Sequence, residues 1–280
     1  MPIITLTTDF GLKDHFVSAV KGAIHSELDQ ITIVDISHDI SPFHITEAAY
    51  ILKNAYKSFP KGTIHIIGID SELSPENKHI AVLLDDHYFI CANNGLISLI
   101  ASEYRPEKTV EINIHDAIGT NFPVLDVFVT VACHIARGGT LEVIGKTITD
   151  LKMIKGITPI VNVGDKQIVA SILYIDNYGN LITNVTRKFF EDVGKGRNFK
   201  IMARTAVFEH IYEQYSDAIN FDIEKSKREE DGKKLAIFNS SGYLELAIYK
   251  SNPRTVGGAS SLFGLHYQDT VSIIFEEEDV

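Results

Sequence analysis

The chain opens by alternating short apolar runs with stretches in which apolar positions recur every three to four residues. Residues 3–7 form a β-type run, and Phe16, Val20 and Ile24 follow at helical spacing, so the chain begins strand, turn, helix. The same reading predicts strands at 31–36, 63–69, 80–84, 88–91 and 110–112. Helices are predicted at 14–27, 46–58, 95–103 and 126–137. Strands joined through helices by right-handed crossovers predict a mainly parallel sheet covered on both faces. Residues 80–91 are the exception, an antiparallel hairpin turning at Asp85-Asp86-His87.

From about Gly156 the helical periodicity gives way to β alternation without clear helices. Strands are predicted at 160–163, 167–174, 181–185, 199–203, 236–238, 244–248 and 271–275, punctuated by turn signals. The expected architecture is an α/β domain over residues 1–155, followed by a smaller all-β domain over 156–280, an antiparallel barrel or sandwich. The charged, glycine-containing run 226–234 reads as a solvated loop tip. No internal repeat is evident.

Composition narrows the function only a little. A chain of 280 residues with 45% hydrophobic and 22% charged positions is ordinary for a soluble globular protein of one or two domains. The net charge of -11 argues against a nucleic-acid surface, which needs basic patches, and is permissive for a cationic substrate. Cys91 and Cys133 lie in apolar stretches and read as buried thiols. No apolar run reaches the roughly 20 residues that span a membrane, and no signal peptide is visible, so the expected location is cytoplasmic.

Two motifs carry candidate chemistry. Asp9-Phe10-Gly11 breaks the first strand, which puts Asp9 at the strand's carboxyl end, where open α/β sheets bind ligands. A carboxylate there can accept ribose hydroxyls or simply cap a helix. The second motif is Tyr174 to Asn184, YIDNYGNLITN. Its Asp176-Asn177-Tyr178-Gly179-Asn180 core favours a turn between β-rich flanks. It reads either as a polar hairpin turn or as a site for a ligand with an ammonium group and a heterocycle. Asp9, Asp35 and Asp70 all end strands, which raises a magnesium site or a metal-dependent phosphohydrolase as an alternative. That alternative leaves YIDNYGNLITN unexplained, and the 11 histidines show no zinc-type spacing, so no metal site is expected.

Together these motifs resemble the S-adenosylmethionine hydroxide adenosyltransferase family, whose relatives include fluorinating and chlorinating enzymes. The resemblance runs through TTDFGLKDHFVSAVKG, VDISHDISPFHITEAAYIL, ANNGLIS, YIDNYGNLITN, NSSGYLELA and GGASSLFGL in family order. It implies that S-adenosylmethionine is substrate, with no further cofactor. Asp9 would hold the ribose hydroxyls, Asp176 the methionine ammonium and Asn180 the adenine, with further contacts from Ser240 and Ala259. It also implies a homotrimer with sites at subunit interfaces, so that Asp9 and Asp176 meet from neighbouring subunits.

The sequence departs from the family at the water-handling Asp-Arg-His set. Asp70 matches the aspartate, but Asn77 stands where arginine is expected and Pro123 where histidine is expected. Asparagine carries no permanent charge and proline relays no proton. Lys78 and His79 are adjacent and read either as substitutes or as a solvated turn. The short Asp85-Asp86-His87 turn lacks the extra loop of the halogenating relatives. The expected activity is cleavage of S-adenosylmethionine by water to adenosine and methionine; the alternative is a weak or inactive adenosyl-binding module.

Overall fold

The computed structural model describes residues 2–101, 105–114, 119–162, 164–228, 230 and 232–276. The ends of the predicted helix 95–103 and strand 160–163, and parts of the 226–234 run, lie outside the described residues. The chain forms two compact units, Met1–Gly156 and Ile157–Val280.

In the first unit, β1 (Ile3–Thr8), α1 (Phe16–Glu27), β2 (Thr32–Ser37), α2 (Ile45–Ala55), β3 (Ile64–Gly68), β4 (His79–Leu84), β5 (His87–Ala92), α3 (Leu96–Ile100), β6 (Lys108–Ile112), α4 (Val129–Ala136) and β7 (Gly145–Thr147) follow in order. The sheet order is β2-β1-β3-β5-β4-β6-β7. One face buries Ile4, Leu6 and Ile66 against Val20, Ile24 and the α4 side chains. The other buries Ile67, Val82 and Phe89 against Ala48, Leu52 and Tyr56. Burial on both faces explains why these strands read as nearly continuous apolar runs.

The sheet is mixed rather than mainly parallel. Pairs β1–β2, β1–β3 and β3–β5 are parallel, whereas β4–β5, β4–β6 and β6–β7 are antiparallel. A parallel pair needs a crossover of a dozen or more residues. Between β4 and β5 there are only Asp85 and Asp86, both at positive φ (53° and 59°), as a tight hairpin requires. The three-residue β7 was too short to stand out from its surroundings.

The second unit contains β8 (Ile160–Val161), β9 (Gln167–Ile175), β10 (Leu181–Thr186), α5 (Arg187–Gly194), β11 (Phe199–Ala203), β12 (Ala206–Phe208), β13 (Ile211–Tyr212), β14 (Lys234–Phe238), β15 (Tyr243–Ile248), α6 (Ala259–Phe263) and β16 (Thr270–Phe275). Its strands run β12-β11-β16-β9-β10-β15-β14-β13, with β8 also on β9. The long strand β9 pairs through residues 167–171 with β16 and through 172–175 with β10. Ile168, Ala170, Ile172, Leu181, Leu246 and Ile273 form one core inside this curved sheet.

Two features correct the all-β expectation. The helices α5 and α6 are present, and β13–β14 is a parallel pair. α5 starts because the Thr186 side chain accepts the Phe189 N–H at 3.2 Å, and it ends at left-handed Lys195. Its Phe189, Phe190 and Val193 rest on the core, so an apolar pair that resembles strand is half of an amphipathic helix. Among the described residues no helix is long and apolar enough to cross a membrane.

Candidate functional site

In the first unit the carboxyl ends of β1 and β3 open onto a cavity of about 620 Å³. Asp9, Asp70 and Pro123 all line it, together with Phe43, Glu72 and Thr120. One wall is an aromatic trio: Phe10, Phe16 and Phe122 have ring centroids 5.4 to 5.8 Å apart. Pro123 starts a π-helical turn, Val124–Phe128, that leads into α4, and Thr120 bonds the Asp126 carboxylate ahead of that turn. Proline suits a helix start because the missing N–H has no intrahelical partner there.

Asp9 Oδ2 accepts the backbone N–H of Phe43 at 2.8 Å. Burial raises the Asp9 carboxyl above its usual range, the Phe43 N–H and its own N–H oppose this, and the Asp70 charge adds to the rise. Asp70 itself sits at φ 45°, a left-handed conformation that a non-glycine residue keeps only when its surroundings impose it.

Asn77 does not line this cavity. Its Nδ2 donates to the carbonyls of Asp70 at 2.7 Å and Glu72 at 3.2 Å, so it braces the loop that follows β3. His79 belongs to β4, is fully buried, and its Nε2 is 2.9 Å from the Ser71 carbonyl. It is neither a solvated turn residue nor a group open to water. The described residues that line the cavity include three carboxylates and no Arg, Lys or His. Asp35 is not among the described residues that line the cavity; its Oδ2 is 2.5 Å from Lys21 Nζ.

In the second unit the DNYGN segment is the turn between β9 and β10. Asp176 Oδ1 accepts the N–H groups of Tyr178 (2.9 Å) and Asn180 (2.8 Å), and its Oδ2 accepts Asn180 Nδ2 at 3.1 Å. A carboxylate has about four acceptor positions, so the turn itself occupies most of them. Burial raises the Asp176 carboxyl, against the hydrogen bonds from Asn180, Tyr178 and Gly179. Gly179, at φ 74°, lies so close to Gly258 that a Cβ on Gly258 would come within 2.7 Å of the Gly179 Cα and the Tyr178 oxygen. Ser260 N–H and Ser251 Oγ donate to the carbonyls of Gly179 and Tyr178. Buried Ala259 is thereby set against the same turn.

Glu245, which sequence reasoning missed, ties this turn to the next. It is 3% exposed and accepts Tyr215 Oη at 2.8 Å and Asn239 Nδ2 at 3.2 Å. Burial raises its carboxyl, Tyr215 and Asn239 oppose this, and Asp176 raises it further. Asn239 in turn shapes the β14–β15 turn that carries exposed Ser240, accepting the N–H groups of Ser241 and Tyr243. Asp176, Asn180, Ser240 and Ala259 therefore belong to one connected region. Asn180 is 5% exposed, and its Oδ1 has no hydrogen-bond partner among the described residues. The only sequence signal for Glu245 was a charged residue inside an apolar strand.

Comparison with known proteins gives the two units a common family. The model of the SAM hydroxide adenosyltransferase N-terminal domain matches residues 4–145, and that of the C-terminal domain matches residues 170–272. The chain belongs to the SAM hydroxide adenosyltransferase family. A protein of Methanocaldococcus jannaschii named (R)-S-adenosyl-L-methionine hydrolase is 28% identical, covering 98% of this chain and 97% of the relative. A fluorinase of Actinopolyspora mzabensis is 24% identical over 88% of this chain and 90% of its own. The solved structure of an uncharacterized conserved protein from Thermotoga maritima matches at a TM-score of 0.80 and 23% identity, covering 98% of this chain and 100% of that one, which shows the shared fold.

Proposed function

We propose that this protein binds S-adenosylmethionine and cleaves it with water to adenosine and methionine. The observation that carries this reading is the buried, unpaired Oδ1 of Asn180, set beside the Asp176 turn. An unsatisfied buried acceptor costs about 1–3 kcal/mol, and the exocyclic amine of adenine is a donor that removes this cost. In this reading Asp176 takes the methionine ammonium through the charge of its carboxylate, Ser240 and Ala259 border the base, and Asp9 takes the ribose hydroxyls. No cofactor or metal takes part.

The water oxygen forms a bond to C5′ as the C5′–S bond breaks, and its electron pair leaves with sulfur as neutral methionine. The water proton passes to the Asp70 carboxylate and then to solvent. With no cationic side chain among the described lining residues, the carboxylates favour the cationic substrate more than a transition state in which the sulfonium charge is being lost. Such ground-state stabilisation tightens binding and slows the chemical step. Slow turnover with firm binding is therefore the expected behaviour, and the same observation supports a second reading, an adenosyl-binding module without turnover.

The assembly in this reading is a homotrimer, with each site shared between neighbours. Exposed apolar side chains flank both half-sites: Leu12 and Phe43 in the first unit, Tyr178, Val256 and Leu262 in the second. Incubation of the purified protein with S-adenosylmethionine, with adenosine resolved by chromatography and binding followed by calorimetry, tests the function. Adenosine release supports hydrolysis; binding without release supports the second reading; absence of both defeats the proposal.

A further inference from the structure

A chain of polar groups lies behind the Asp9 turn, outside the residues assigned above. Thr8, at the end of β1, is 1% exposed, and its Oγ1 is 2.7 Å from His38 Nδ1. The same Oγ1 accepts the Phe10 N–H at 3.4 Å. His38, also buried, accepts the Gly11 N–H on its carbonyl at 2.8 Å. Its Nε2 is 3.1 Å from Asp35 Oδ1, a close contact without a well-directed hydrogen bond, and Asp35 Oδ2 meets Lys21 Nζ of α1.

Thr8 Oγ1 accepts from Phe10 and bonds His38 Nδ1, with donor and acceptor set by the ring tautomer, while the other ring nitrogen faces the Asp35 carboxylate. Burial alone would raise the Asp35 carboxyl, but Lys21, through its hydrogen bond and charge, and His38 beside it hold the carboxyl below its usual range. Two amides of the turn touch this chain: the Gly11 N–H is held by the His38 backbone carbonyl, and the Phe10 N–H has the Thr8 hydroxyl, itself bonded to the His38 ring, as a long contact at 3.4 Å.

We propose that His38 is a positioning residue for the adenosyl ligand: with Thr8 and Asp35 it fixes the Asp9–Gly11 turn so that the Asp9 carboxylate meets the ribose hydroxyls. This rests on the ribose role given to Asp9. A histidine that only fills space would affect all ligands and overall stability alike. A positioning histidine acts through one carboxylate and the groups that carboxylate contacts.

The test is calorimetry on the full chain with two probes, adenosine and 2′,3′-dideoxyadenosine, which lacks the ribose hydroxyls. His38→Ala is expected to weaken adenosine binding about tenfold and to leave dideoxyadenosine binding unchanged. His38→Asn, which can still bond Thr8, is expected to recover most of the loss. Adding His38→Ala to Asp9→Ala is expected to cost nothing further. Unchanged adenosine affinity in His38→Ala, or equal losses for both probes, overturns the proposal. Should His38→Ala not fold, Lys21→Met at the solvent end decides: an adenosine-selective loss supports the chain, and no loss overturns it. If the unmutated protein binds both probes equally, the ribose role of Asp9 itself fails, an outcome distinct from a failure of His38.

Discussion

Phe43 donates its backbone N–H to Asp9 Oδ2 from a left-handed conformation, φ 61°, while its ring stays 71% exposed at the cavity mouth. A bulky residue at positive φ is strained by about 1–3 kcal/mol and persists only where other contacts impose it. The Asp9 carboxylate is one such contact, so it has a structural role as well as its proposed ligand role.

The two roles separate by substitution. Asp9→Ala is expected to cost about 1–3 kcal/mol of stability in urea unfolding, because the Phe43 N–H loses its acceptor. Asp9→Asn keeps an acceptor oxygen; it is expected to retain most of that stability yet weaken adenosine binding in calorimetry.

Asp70 lines the cavity without serving the Asp9–Phe43 bond, so its removal tests the chemistry without breaking that bond. Asp70→Asn is expected to lower adenosine release from S-adenosylmethionine by about 100-fold or more, the usual loss for a proton acceptor. Substrate affinity should fall by much less than the rate, since two lining carboxylates remain. Comparable rates for the two proteins would remove Asp70 from the mechanism.

Gly258→Ala is the sharpest probe of the Asp176–Asn180 region. The new methyl meets the Tyr178 carbonyl and the Gly179 backbone, neither of which can rotate away. The expected results are a loss of about 1–3 kcal/mol of stability and weaker S-adenosylmethionine binding by calorimetry. The change would act through displacement of the Asp176–Asn180 turn.

A pH effect on stability is expected from the first unit's core. His65 is fully buried between Thr5 Oγ1, 2.7 Å from Nδ1, and His87, 3.2 Å from Nε2. Burial, helped by the His87 charge, lowers its pKa from 6.5 to about 3. The folded state thus favours the neutral ring, while the unfolded chain takes up a proton below 6.5. Stability is full above that pH and falls as pH drops from 6.5 toward 3, by on the order of a few kcal/mol. Urea midpoints measured across this range should decline, and His65→Gln should flatten the decline.

Glu245 gives the opposite sign. Its folded pKa is raised, so its contribution is present below the ordinary carboxyl value of 4.5 and is lost as pH rises through the folded value. At neutral pH the buried charge costs stability. Glu245→Gln keeps an acceptor for Tyr215 and is expected to raise the melting temperature at pH 7 by a few degrees, whereas Glu245→Ala lowers it.

Much of this was legible in the sequence because the relevant signals are local. The opening apolar run, the helical spacing of Phe16, Val20 and Ile24, and the Asp85-Asp86 turn each specify their element without help from elsewhere. Strand direction in the first sheet was not legible. It depends on β4 entering between β5 and β6, a long-range pairing that no local pattern encodes. α5 was hidden because Phe189-Phe190 suit a strand as well as a helix, and only the Thr186 cap separates the two. At the site, the residue types at Asn77 and Pro123 could be read, but their uses could not. Asn77 binds backbone carbonyls, and Pro123 starts a π-helical turn.

Strand β9 has a consequence for how the second unit comes apart. Its first half is zipped to β16 and its second half to β10, so one nine-residue segment is common to both ladders. Neither ladder can fray past this segment without exposing the other, so the amides of 168–175 should exchange with solvent deuterium at one shared, slow rate. The Asp176–Asn180 turn leaves directly from its end at Ile175, which anchors the proposed ligand loop of the unit to its last-melting element.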